Sequence, residues 1–208
     1  MSTVQSIGLL IFAYLAGAIP VGVILGKVLC GSDLRSTGSG STGTTNALRA
    51  FGPKISAAVL LFDVIKGAAP VLLARELDAG PWLVGLVATL TVVGHCWSPF
   101  IDFHGGKGVA TGGGALIALQ PWVAFAVLLM VVVVVLTRYV SLGSIVSAIS
   151  IGIVLSIAAV WDREAPAIAL AAIAIAGIIV WRHRGNIHRL LDGSERRISF
   201  RKQAHASS

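Results

Sequence analysis

Apolar residues run in long blocks along this chain, and polar residues collect between the blocks instead of alternating with them. Seven blocks stand out: Ile7–Leu29, Ile55–Leu73, Trp82–Val93, Val109–Leu119, Trp122–Leu136, Leu142–Trp161 and Ala167–Trp181. A helix rises about 1.5 Å per residue, so about 20 apolar residues cross a hydrocarbon core about 30 Å thick. The fourth block is far too short alone. It either borrows its Gly-rich flanks or joins the fifth through Gln120-Pro121 as one kinked helix. The pattern predicts an all-α polytopic membrane protein.

Charge sidedness sets the number of spans, because Lys and Arg mark the cytoplasmic side. Seven transmembrane helices, with the amino terminus outside, leave only Arg75 and Arg163 outside and Lys66 within a span; the rest of the 16 Lys and Arg fall inside. Six spans would put the basic carboxyl end on the opposite side from the Arg35–Arg49 loop. Seven spans are therefore predicted, with residues 1–202 as a single integral-membrane domain and 203–208 as a disordered tail. Trp82, Trp122 and Trp161 fall at the outer ends, where an aromatic belt belongs.

Composition agrees. The chain is 56% hydrophobic and 12% charged, with mean hydropathy +0.89, whereas soluble domains carry about 25% charged residues. The formal charge of +7 then reads as membrane sidedness, not as affinity for nucleic acid. Cys30 and Cys96 share no metal-ligand spacing and make no disulfide framework. The first block lacks a cationic leader and exceeds the roughly 7–15 apolar residues of a signal peptide, so it is read as a retained span.

Three polar segments gather on the inner side. The first, Ser36–Arg49 (STGSGSTGTTNALR), nearly spells a nucleotide-binding loop. Gly38 and Gly43 are spaced correctly, but Thr44 and Thr45 stand where that loop needs Lys and then Ser or Thr. It still holds what an anion wants. Gly40 and Gly43 let backbone N–H groups approach a ligand, Ser39, Ser41, Thr44 and Thr45 bring hydroxyls, and Arg49 brings a bidentate fork. A helix starting near Thr44 puts Asn46 and Arg49 on one face and aims its positive end at the anion.

The second segment, Gly94–Gly114, carries His95 and sets Lys107 inside a glycine turn of Gly105, Gly106 and Gly108. A lysine there is a compact charge suited to phosphate. The third, His183–Arg197, is amphipathic, with His183 and Asn186 at the mouth of the last span. Its arginines Arg196 and Arg197, with Arg201 and Lys202, suit anionic headgroups. Asp63 and Lys66, three apart in the second block, read as an intrahelical ion pair that lies off the chemistry. Ser141 either caps the sixth span or lines the pocket.

Read in order, GSGSTGTTNALR, GHCWSPFIDFHGGKGVATGGG and HRGNIHRLLDGSERR make the chain resemble the PlsY family, bacterial membrane acyl-phosphate:glycerol-3-phosphate acyltransferases. LLFDVIKG and RYVSLGS are lesser matches. The resemblance implies seven spans, an inner-membrane location and a cytoplasmic active site. It implies transfer of a fatty acyl group from acyl phosphate to the sn-1 hydroxyl of glycerol 3-phosphate. No cofactor is expected, and no metal is required, because no carboxylate cluster is placed to hold one. No His is followed five positions later by Asp, so the H-x-x-x-x-D route of the other large glycerolipid acyltransferase class is closed in its usual form.

With two phosphorylated substrates, Lys107, Arg49, His183 and Asn186 are expected to hold glycerol 3-phosphate. The Ser39–Thr45 turn is expected to hold acyl phosphate and steady the oxyanion. The hydroxyl proton goes to His95, to His183 or to the donor's own phosphate, the last being preferred because no carboxylate–His pair is legible. Two rival classes share some features. An anion transporter would place broken helices near the midplane, and a headgroup-binding anchor protein would leave Asn46 and His183 idle.

Overall fold

The computed structural model describes residues 1–160 and 165–198. Trp161, Arg163, Arg201, Lys202 and the 203–208 tail lie outside the described residues. Among the described residues the chain folds into nine α-helices and no strand: α1 (Thr3–Ala18), α2 (Val21–Cys30), α3 (Thr44–Glu76), α4 (Pro81–Cys96), α5 (Val109–Leu119), α6 (Phe125–Thr137), α7 (Val140–Ala158), α8 (Ala165–Arg182) and α9 (Arg184–Leu191).

The helices α3, α7 and the stretch Pro81–Ile101 are each long and apolar enough to cross a membrane, with α3 kinked at Gly52, whose φ of 82° is non-helical. Two bent pairs, α1 with α2 at 41° and α8 with α9 at 58°, raise the count to five. The first apolar block is thus two helices, not one. Pro20 has no N–H to give and its ring clashes with the preceding turn, so the helix breaks at Ile19-Pro20. The fourth and fifth blocks are also separate helices. Gln120 leaves the helical region at the end of α5, and a 3-10 turn over Pro121–Ala124 leads into α6.

Small residues let the helices touch backbone to backbone, as membrane interfaces favour. A side chain at Gly17 would strike Thr91, one at Gly94 would strike Tyr14, and α3 and α5 meet through Gly67 on Thr111 and Gly114 on Val64. The core joins Ala13, Val71, Val87, Leu116, Ala172 and Ile175. By contrast, α6 buries none of its residues, and Phe125, Val135 and Leu136 stand exposed. A contiguous apolar surface of this kind needs lipid around it.

The bundle has two distinct ends. At one, Arg75 near the end of α3 donates to the carbonyls of Ala118 and Leu119 that close α5, at 2.8 and 3.3 Å. These orphan carbonyls have no intrahelical partner. The other end gathers the end of α4, the starts of α5 and α7, and the α8–α9 bend, and all three polar segments meet there.

Candidate active site

The first wall is the turn ahead of α3. Gly38 takes a left-handed φ of 60°, which folds the turn back onto Asn46. The Asn46 Oδ1 accepts from the Ser39 amide at 3.0 Å, while its Nδ2 reaches the carbonyls of Leu34, Thr37 and Ser41 at 3.1, 3.0 and 2.9 Å. Asn46 therefore shapes the loop from beneath and has no free group to offer a ligand, unlike the expectation that it binds substrate. The helix begins at Thr44 as the sequence predicts, with Gly43 as a cap that makes no side-chain bond. The Asn46 amide closes onto the Gly43 carbonyl at 3.1 Å, Thr45 is half-buried, and the buried Thr44 hydroxyl has no protein partner among the described residues. Ser39 and Gly40 are exposed, Ser41 and Gly43 half-buried, and Arg49 exposed one turn further on. Beneath lies a small apolar cluster of Leu34, Ala47 and Val59.

The second wall is the turn between α4 and α5. Its amides at Gly105 and Gly106 donate to the carbonyls of Cys96 and His95 at 3.2 and 3.1 Å. Arg182, at the end of α8, grips the turn's carbonyls: Nε donates to Gly106 and a terminal nitrogen to Gly105, both at 3.0 Å. The Arg182 guanidinium also stacks over Trp97. Gly108, at φ 81°, turns the chain into α5. His95 is 6% exposed, and its Nε2 lies against the Cα of Gly106, where no Cβ fits. The ring supports the turn and does not open onto it. Its Nδ1 lies 3.8 Å from Asp63 Oδ1, a carboxylate–histidine pairing that the sequence did not reveal.

The third wall is the α8–α9 bend. His183 N-caps α9, and Asn186 follows one turn later on the same buried side. His183 donates from Nδ1 to the Ile179 carbonyl at 2.8 Å, which leaves Nε2 as its free nitrogen. The Asn186 Oδ1 accepts from Lys107 Nζ at 2.6 Å, and this bond joins the second wall to the third.

Glu195, absent from the expected set, organises this corner. The Asp192-Gly193 turn, with Gly193 at φ 75° and Ser194 bonded to Asp192, reverses the chain and returns Glu195 over α9. There Oε1 accepts from Asn186 Nδ2 and from the Ser141 hydroxyl, each at 2.7 Å, and Oε2 accepts from Arg189 Nε at 2.8 Å. Ser141 thus ties α7 to this corner and makes no helix cap; Tyr139 holds the cap position. The one sequence signal was a lone Glu in a basic run just after an Asp-Gly turn.

Electrostatics bind the walls together. Burial pushes the Lys107 ammonium down to about 8; Glu195 pulls the other way, and Arg189, Arg49 and Arg182 add repulsion. Arg49 thereby links the first wall to Lys107 through its field. Burial, then Lys107, push His183 down to about 4, so its ring is neutral at pH 7. Glu195 stays ionised: burial opposes this, but the bonds from Ser141, Asn186 and Arg189 outweigh it.

The site therefore offers a glycine- and hydroxyl-rich helix start on one wall and a cationic corner on the other, a pairing suited to anionic oxygens. Comparison with known proteins points the same way. Residues 7–193 match the family model for glycerol-3-phosphate acyltransferase. A glycerol-3-phosphate acyltransferase of Rubrobacter xylanophilus is 42% identical over 93% of this chain and 95% of its own, and one of Thermus thermophilus is 43% identical over 94% and 96%. The crystal structure of PlsY, an integral membrane glycerol 3-phosphate acyltransferase, in its glycerol 3-phosphate form superposes with a TM-score of 0.88 at 40% identity, covering 94% of this chain and 96% of that one. Its lysophosphatidic acid form gives a TM-score of 0.85 at 36% identity, with the same coverage. The chain belongs to the glycerol-3-phosphate acyltransferase family.

Proposed function

We propose that this protein transfers a fatty acyl group from acyl phosphate to the sn-1 hydroxyl of glycerol 3-phosphate, giving lysophosphatidic acid and inorganic phosphate. The observation that carries this reading is the pair of unlike anion walls: the capless start of α3 with Gly40, Gly43, Thr44 and Thr45, and the Lys107–Asn186 corner with His183. Two phosphorylated substrates need two such walls.

Glycerol 3-phosphate sits against Lys107, Arg49 and His183, with Asn186 orienting Lys107. Acyl phosphate lies along the Ser39–Thr45 turn; the Ser39 and Gly40 amides are already bonded to Asn46 and the Thr37 carbonyl, so the amides from Ser41 to Thr45 serve the developing oxyanion, commonly the largest catalytic term. The glycerol hydroxyl oxygen attacks the acyl carbon, and the carbon–oxygen bond to phosphate breaks. The hydroxyl proton passes to the departing phosphate dianion, which leaves as monohydrogen phosphate. Acyl phosphate is a mixed anhydride, so its leaving group needs no strong acid. A small apolar cavity lined by Val109, Leu116, Met130, Ser144, Ile151 and Ile179 begins two residues beyond Lys107 and offers an entry for the acyl chain, whose length runs on into the bilayer.

The topology that goes with this reading has seven spans: α1 with α2, then α3, α4, α5, α6, α7 and α8, with the amphipathic α9 lying at the active end. Its amino terminus is outside and its active end cytoplasmic, in a bacterial inner membrane. Purified protein given acyl phosphate and labelled glycerol 3-phosphate forms 1-acyl lysophosphatidic acid, and gives none with acyl-CoA. No product from acyl phosphate, with the donor shown to be intact, overturns the proposal.

A further inference from the structure

A buried charge pair lies outside the site just described. Asp63 is 2% exposed and Lys66 8%, one turn apart on α3, with Lys66 Nζ 2.7 Å from Asp63 Oδ1. The approach is an ion-pair contact too oblique for a hydrogen bond. Charges within a span are costly and call for a task. Lys66 Nζ also donates to the Ile19 carbonyl at 2.7 Å, at the break between α1 and α2. The neighbouring Ala18 carbonyl accepts from Ser98 at 2.6 Å, so side chains from α3 and the end of α4 fix this break.

The pair touches both substrate walls through intermediates. From the break, bent by 41°, α2 runs on beside the first wall: Gly22 lies against the Thr42 carbonyl and the Leu34 side chain, and Gly26 against Phe51 and the Ser32 carbonyl. On its other side, Asp63 Oδ1 faces His95 Nδ1 at 3.8 Å, and the opposite edge of that ring carries Gly106, next to Lys107. We infer that Asp63 and Lys66 are positioning residues that set the first wall in register with the second through the Ile19 break and His95. The inference rests on the two-wall reading of the site. Each wall keeps its own phosphate contacts without the pair, but the attacking oxygen and acyl carbon lose alignment, and a misplacement of about 1 Å can cost about 100-fold in rate.

The test compares the wild type with Lys66→Met, Lys66→Arg and the doubly neutral Asp63→Asn/Lys66→Met in lipid nanodiscs. It reads kcat per folded protein and the Kd of glycerol 3-phosphate by calorimetry. Lys66→Met is expected to lower kcat tenfold or more while Kd stays within threefold. Lys66→Arg, which keeps the donor, stays within threefold of wild type in both. The double variant, with no lone buried charge, is expected to fold yet keep the kcat defect. Wild-type kcat in the folded Lys66→Met or double variant overturns the inference, as does a defect confined to Kd. So does failure of all three variants to fold, which gives the pair to stability alone. No product from wild type overturns the proposed reaction itself and this inference with it, whereas active wild type and equally active variants overturn the inference only.

Discussion

Lys107 Nζ and Asn186 Oδ1, 79 residues apart in sequence, meet at 2.6 Å. Asn186 is held from its other side by Glu195, so the lysine points where a chain of bonds directs it. A point charge placed by a fixed amide is ready for a phosphate before the phosphate arrives, which avoids the entropy of ordering it on binding.

That placement carries a pH signature. Burial lowers the Lys107 ammonium to about 8, so the free protein carries the charge below that pH and loses it above. The value of kcat/KM for glycerol 3-phosphate should fall about tenfold per pH unit above 8, since the neutral form no longer pairs with the anion. In Lys107→Ala the descending limb should vanish along with most of the activity. A limb that persists there belongs to another group.

Glu195 predicts a stability effect more than a kinetic one. Its side chain is 6% exposed and takes bonds from Ser141, Asn186 and Arg189. Hydrogen bonds to a charged group contribute about 1.5–3 kcal/mol each, though they do not add. Glu195→Ala should cost about 2–4 kcal/mol in unfolding measurements, and Glu195→Gln less. The sign with pH follows from its lowered pKa: the stabilisation is full above the ordinary value of 4.5 and fades as pH falls through the folded value. A melting curve for Glu195→Ala that matches wild type at pH 7 would refute this.

What the sequence made legible followed from periodicity and composition. The start of α3 at Thr44 and the shared side of His183 and Asn186 are helical-spacing facts, and the structure places them so. The break at Ile19-Pro20 was hidden because hydropathy runs unbroken through Gly17 and Val21, and proline is tolerated in membrane helices. The inward turn of Asn46 depends on Gly38 curling back seven residues upstream, a closure with no period. The reach of Glu195 to Ser141 across 54 residues and the approach of His95 to Asp63 are tertiary facts that no local pattern encodes.

Gly106 tests the support beneath the second wall. A methyl group there meets the His95 ring and not open space. Overpacking of a fixed site costs about 1–3 kcal/mol, and here the strain falls on the neighbour of Lys107. Gly106→Ala should lower kcat/KM by at least tenfold. Gly106→Ala should cost much less in a His95→Ala background than in the wild type, because the obstructing ring is gone. If it costs as much in both backgrounds, contact with His95 is not the cause.

His183 decides where the hydroxyl proton goes. With Nδ1 donating to Ile179, only Nε2 can face a substrate, and in the neutral ring that atom is an acceptor. A general base works best with a pKa near the working pH, and burial holds His183 at about 4, which makes it a poor base at pH 7. The donor's phosphate dianion is the better proton acceptor, and Nε2 then accepts from the other glycerol hydroxyl, the one that does not react, and so orients the substrate. His183→Ala should therefore raise the KM for glycerol 3-phosphate tenfold or more and leave saturated kcat within about threefold. The acid limb of the pH profile should be the same in His183→Ala as in the wild type, since the ionisation near about 6 belongs to the substrate phosphate. Should kcat collapse in His183→Ala while saturation stays near normal, the imidazole takes the proton and substrate assistance is wrong.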